Sequence, residues 1–161
     1  MIFLDPSLDP QGAGYHITQS KIALGSGGLF GKGFLGATQA HLNFLPEKQT
    51  DFIYTMLAEE FGLAGCVFVI LLFALMIAYG FKIALCCRSV FGRLAALGMV
   101  VTFFFYAFIN MGMVMGLLPV VGVPLPFISY GGTAMLTLQI AFGLILAAGV
   151  DRDRDIPRAR A

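Results

Sequence analysis

The sequence predicts an all-α membrane protein: a polytopic helical bundle of three transmembrane helices, preceded by a long irregular and short-helical extracytoplasmic segment. Three observations carry that prediction. Hydrophobic residues make up 58% of the chain and charged residues 12%, about half the charge of an ordinary soluble domain. The mean hydropathy is +0.87. The charges are also segregated, since residues 62–81 and 94–150 contain none. The first run suits one crossing of a hydrocarbon layer about 30 Å thick. The second is too long for one helix and is broken by Pro119, Pro124 and Pro126, so it reads as two crossings joined by a loop.

Residues 1–61 are expected to be an extracytoplasmic loop with short helices and the start of the first long helix. Asp5-Pro6 and Asp9-Pro10 are turn signals. A short helix fits residues 15–24, and the glycine-crowded stretch 25–33 must be irregular, because glycine carries no preference for helix or strand. That stretch fails as a P-loop, having Ser26 and Gly33 where glycine and Ser/Thr are required. Gly31, Gly33 and Gly36 spell G-x-G-x-x-G, but no strand precedes them. A loop whose backbone lies close to its neighbours explains them, with Lys32 a candidate cation for a phosphorylated ligand.

Residues 44–62 hold four of the nine acidic residues, Glu47, Asp51, Glu59 and Glu60. Pro46 can open a helix, and Thr50 or Asp51 can cap one. An uninterrupted helix from 51 to 82 would be about 48 Å long. Asp51 would then stand at a wet tip, with Glu59 and Glu60 at the membrane interface. The spans expected to cross are about 62–82, 94–116 and 131–150, followed by a tail at 151–161. The connector 117–132 is too apolar for a solvated loop and too rich in Pro and Gly for a helix, so it should fold back into the protein. Basic residues at 82–93 and 152–160 account for seven of the ten. The positive-inside rule therefore puts 83–93 and 151–161 in the cytoplasm and 1–61 and 117–132 outside. Asp51 and Ser129 would share one side.

Other readings are narrower. Cys66, Cys86 and Cys87 form neither a disulfide framework nor a C-x-x-C site. His16 and His41 lack ligand spacing, and no basic cluster suits nucleic acid. Asn110, alone in its apolar run, is read as hydrogen-bonding to a neighbouring helix. Residues 1–6 lack the regions of a signal peptide, so the chain is expected to be the C-terminal part of a larger protein. On one helix face Asp51 and Glu59 would lie about 12 Å apart, wider than paired carboxylates in glycoside hydrolases. Asp51 alone can still act as a general base if the leaving group departs unaided, as a pyrophosphate does.

Six blocks in order carry a resemblance: Asp9-Pro10-Gln11-Gly12-Ala13-Gly14-Tyr15-His16, Gln19-Ser20-Lys21-Ile22-Ala23, Gly31-Lys32-Gly33, Phe44-Leu45-Pro46-Glu47 with Thr50-Asp51-Phe52-Ile53, Ala58-Glu59-Glu60-Phe61-Gly62, and Leu125-Pro126-Phe127-Ile128-Ser129-Tyr130-Gly131-Gly132. The chain resembles the SEDS family of peptidoglycan glycosyltransferases, on its rod-shape-determining (RodA) branch. Gln49 stands where relatives often have His. The resemblance implies a ten-helix enzyme of the bacterial cytoplasmic membrane that polymerises lipid II into glycan strands during elongation, paired with a class B penicillin-binding protein. It also implies Asp51 as the essential carboxylate. Lys21, Lys32, Glu47, Thr50 and Ser129 are the accompanying candidates for substrate binding. A divalent cation, Mg or Mn, would be compatible, with Asp51 its available ligand. The rival readings are a flippase for the lipid-linked precursor and an inactive scaffold that binds a penicillin-binding protein.

Overall fold

The computed structural model describes residues 13–33 and 50–150. They form four helices and no strand: α1 (Ala13–Ser26), α2 (Ile53–Cys86), α3 (Val90–Val114) and α4 (Gly132–Val150). The last three are long and apolar enough to cross a membrane, as an all-helical, multi-pass membrane protein requires. The expected tail lies outside the described residues.

The central element is α2, which packs against α1, α3 and α4. Its contact with α3 is close because Gly80 has no side chain; a Cβ there would meet Val100 Cγ2 at 2.5 Å. Small residues let membrane helices approach in this way. A three-residue turn joins α2 to α3. The Ser89 hydroxyl caps α3 by accepting from the Gly92 N–H at 3.4 Å, and the buried Cys87 thiol donates to the Ala148 carbonyl of α4 at 3.1 Å. At its other end α3 stops on Gly116, at φ +70°. The Leu117 N–H reaches back to the Gly112 carbonyl at 2.8 Å and the Gly116 N–H to Met113 at 3.0 Å, the glycine-dependent termination of many helices.

The connector between α3 and α4 is non-helical and turned into the protein, with Leu125, Pro126 and Ser129 buried. Phe127 adopts φ +61°, a left-handed conformation costing a bulky residue about 1–2 kcal/mol. Aromatic packing holds it there. Its ring lies 5.3 Å from that of Phe142 and 6.1 Å from that of Phe103, and Phe103 meets Phe73 edge-on at 5.6 Å. One ring from each of α2, α3 and α4 thus supports the connector.

The uninterrupted helix expected from 51 to 82 is not what forms. Gly62 has φ +66° and ψ −159°, which breaks the ladder inside α2. In an intact helix the Leu63 and Ala64 N–H groups would donate to the Glu59 and Glu60 carbonyls. Here they donate to Gly28 and Leu29 at 3.0 and 3.1 Å, while the Glu59 and Glu60 carbonyls accept from Lys32 and Gly33 at 3.0 and 3.1 Å. The glycine-rich loop after α1 therefore enters the break and satisfies the four backbone groups it opens. Unpaired backbone at this depth would be costly, and only glycine permits the approach. A Cβ on Gly31 would stand 2.0 Å from the Glu60 carbonyl oxygen, and one on Gly27 2.1 Å from that of Ala58. Beyond the break, residues 63–86 span about 36 Å, enough for one crossing.

Candidate active site

Three stretches distant in sequence meet where α2 begins. Thr50 and Asp51 form a turn into the helix, and Phe52 occupies the N-cap position without a side-chain capping bond. Neither Thr50 nor Asp51 therefore occupies the N-cap position that the sequence suggested for them.

The backbone of Thr50 and Asp51 is held from outside instead. The Ser129 hydroxyl donates to the Thr50 carbonyl at 2.5 Å and accepts from the Leu125 N–H at 2.7 Å. Asn110, fully buried on α3, spends both amide hydrogens on carbonyls: one goes to Asp51 at 2.9 Å, the other to Val123 at 2.7 Å. Asn110 thus bonds to non-helical backbone and not, as expected, to a neighbouring helix. Asp51 itself is partly exposed. Its carboxylate lies over Gly122, where φ is +72° and a Cβ would meet Asp51 Oδ2 at 3.2 Å. The start of α2 and the 122–129 stretch of the connector form one junction, with a carboxylate on its surface.

A second charged cluster lies two turns along α2. Glu59 is 1% exposed, and Lys32 Nζ sits 2.6 Å from its Oε1. Glu59, expected from the sequence at the membrane interface, is buried inside the fold with the Lys32 ammonium beside its carboxylate. Ion pairing makes a buried carboxylate tolerable. Lys32 is thereby engaged by the same helix whose break its loop fills.

Of the sequence-derived candidates, Thr50, Asp51 and Ser129 come together at the junction. Lys32 is joined to Glu59, Lys21 is exposed on α1, and Glu47 lies outside the described residues. Among the described residues no group of three His, Cys, Asp or Glu side chains converges as a metal centre would need. Asn110, read from the sequence as a partner for a neighbouring helix, joins Thr50, Asp51 and Ser129 at the junction through the Asp51 carbonyl. Its signal was there, a strongly polar amide in an uncharged run, but spacing could not reveal which carbonyls it meets.

Comparison with known proteins agrees with this architecture. A family model described as FTSW_RODA_SPOVE, cell cycle protein, matches residues 1–154. The chain is similar to the peptidoglycan glycosyltransferase MrdB of Escherichia coli, 53% identical over 152 residues, which cover 94% of this chain and 41% of the relative. It is 44% identical to the peptidoglycan glycosyltransferase RodA of Treponema pallidum, over 91% of this chain and 34% of that protein. Among solved structures it superposes on a chain of a peptidoglycan synthase complex described as coordinating polymerization and crosslinking. That match has a TM-score of 0.80 and 31% identity, and covers 96% of this chain and 41% of the other. An aspartate-to-alanine mutant of RodA from Thermus thermophilus matches with a TM-score of 0.65 and 34% identity, over 83% of this chain and 41% of that one. The chain spans about a third to two fifths of the length of these relatives. With nearly its whole length matched, the chain belongs to the FtsW/RodA/SpoVE family.

Proposed function

We propose that this chain carries the general base of a membrane-embedded peptidoglycan glycosyltransferase, and that Asp51 is that base. The observation that carries the reading is the junction itself: a partly exposed carboxylate on backbone fixed from two sides by Asn110 and Ser129. Outside the membrane, the 4-hydroxyl of the acceptor lipid II sugar gives its proton to an Asp51 oxygen. The hydroxyl oxygen then bonds to the donor's anomeric carbon from the face opposite the leaving group. The anomeric carbon–oxygen bond breaks, and undecaprenyl pyrophosphate leaves with the electron pair. One carboxylate suffices because pyrophosphate needs no general acid, and inversion follows from a single displacement.

Charge on the departing pyrophosphate calls for cations. Lys21, exposed on α1, is the candidate least committed within the fold, and Lys32 would have to share its charge with Glu59. The polymer then passes to a class B penicillin-binding protein for crosslinking. On this reading the active protein acts in cell elongation and shape, and residues outside this chain complete the substrate cavity.

The test is glycan polymerisation from lipid II by the full-length protein carrying Asp51→Asn. A general base contributes about 10²–10⁴-fold, so the rate should fall by at least about 100-fold at unchanged membrane expression. A wild-type rate would remove Asp51 from the chemistry.

A further inference from the structure

We infer that Asn110 and Ser129 are positioning residues for Asp51, acting through the backbone of the Thr50–Asp51 turn and not on substrate. The inference rests on the reading of Asp51 as the base and reassigns Ser129 away from substrate binding. The geometry is specific. Both Asn110 hydrogen bonds leave the same end of the amide and end on carbonyl oxygens, at Asp51 and Val123. Only the NH₂ end can satisfy two acceptors, so the amide orientation is fixed. One side chain therefore sets the distance between the residue bearing the carboxylate and the connector beside it.

Ser129 repeats the device one residue earlier. Its oxygen donates to Thr50 and accepts from Leu125, so it too joins the start of α2 to the connector. Next to Val123 stands Gly122, against which the Asp51 carboxylate rests. Asn110 is 0% exposed and Ser129 6% exposed. Neither has the surface to meet a sugar or a phosphate directly. The Asn110 amide hydrogens and the Ser129 hydroxyl bond to backbone, and what they fix is where the turn at 50–51 lies relative to 122–125. A base displaced by about 1 Å loses on the order of 100-fold in rate. Substrate affinity, set by groups elsewhere, should change little.

The experiment uses the full-length protein in lipid vesicles, with Asn110→Leu, Ser129→Ala and Ser129→Thr assayed against lipid II concentration and pH. Ser129→Ala and Asn110→Leu should lower kcat by about 10–100-fold with KM within about twofold of wild type. The acid limb of the kcat–pH profile, where Asp51 becomes protonated, should move. Ser129→Thr keeps the hydroxyl and should recover most of the loss caused by Ser129→Ala. A structural role alone would lower the active fraction without moving that limb. Ser129→Ala removes one atom from a small side chain, so it keeps the test open if Asn110→Leu does not fold. Wild-type kcat and an unmoved limb in folded Ser129→Ala would overturn the inference, as would a raised KM at unchanged kcat. Asp51→Asn, run alongside, separates the two failures: if it is inert while Ser129→Ala is normal, only the positioning role falls.

Discussion

The two ends of the first stretch of α2 solve one problem in different ways. At Gly62 the helix is interrupted, and another piece of backbone closes the gap: four main-chain hydrogen bonds to residues 28–33, with the Lys32–Glu59 pair beside them. At the Asp51 end the backbone is also non-helical, but two side chains, Asn110 and Ser129, hold it. The break is sealed by glycines whose replacement brings atoms into overlap. The tip is held by hydrogen bonds that can be removed one at a time. The break therefore carries stability, and the tip carries geometry.

That contrast is most open to attack at the glycines. Gly31→Ala places a Cβ 2.0 Å from the Glu60 oxygen at a residue with φ +77°. The backbone term of about 1–2 kcal/mol and overpacking of about 1–3 kcal/mol should together lower thermal stability sharply, with activity lost in proportion to folded protein. A variant that folds normally and is merely slow would reverse the division between break and tip.

Next in size is the ion pair. Lys32→Met takes from the buried Glu59 carboxylate the cation beside it, which should cost about 3 kcal/mol, toward the low end because the Lys32 side chain is 32% exposed. The double variant Lys32→Met/Glu59→Met should recover much of that, because apolar pairs often replace buried ion pairs without loss. Thermal melts of the two singles and the double test this. Failure to recover would mean that the fold needs the two charges themselves at this point and not merely a filled, neutral contact.

Gly122→Ala should act the other way round. Its Cβ would press on Asp51 Oδ2 at 3.2 Å, so polymerisation should drop by about tenfold or more while the melting temperature falls by only a few degrees. The smallest expected effect is Ser89→Ala, at the far end of α3, which removes one cap at a cost of about 1 kcal/mol. Activity per folded molecule should not change. A kinetic effect there would mean that the turn after α2 is coupled to the junction.

Much of this was legible in the chain. Segregation of charge sufficed for three apolar helices, and the prolines sufficed for a connector that is not one. The connector's apolar character foretold its burial, since non-helical backbone in a membrane must be covered. Asp51 stood out among the four acids of residues 44–62 by its place at the start of the helix and by the resemblance. The break was not legible, because Gly62 sits in a sequence with good helical character and glycine inside a helix is usually tolerated. What turns tolerance into a break is a second glycine loop, 27–33, arriving at the same height from 29 to 35 residues away. The caps misled for a related reason: Thr50 and Asp51 are good capping types, but the helix starts after Phe52.

The sequence by itself determined what each stretch can tolerate: which runs suit lipid, which residues cannot be helical, which carboxylate stands before a helix. Those properties follow from composition and period within one segment. Only the tertiary structure decided which segments share hydrogen bonds. The pairing of Lys32 with Glu59, the grip of Asn110 and Ser129 on the Asp51 turn, and the glycine loop in the helix break each join residues 27 to 79 apart. Such partnerships depend on direction and distance in space, which a one-dimensional pattern of residue types does not contain.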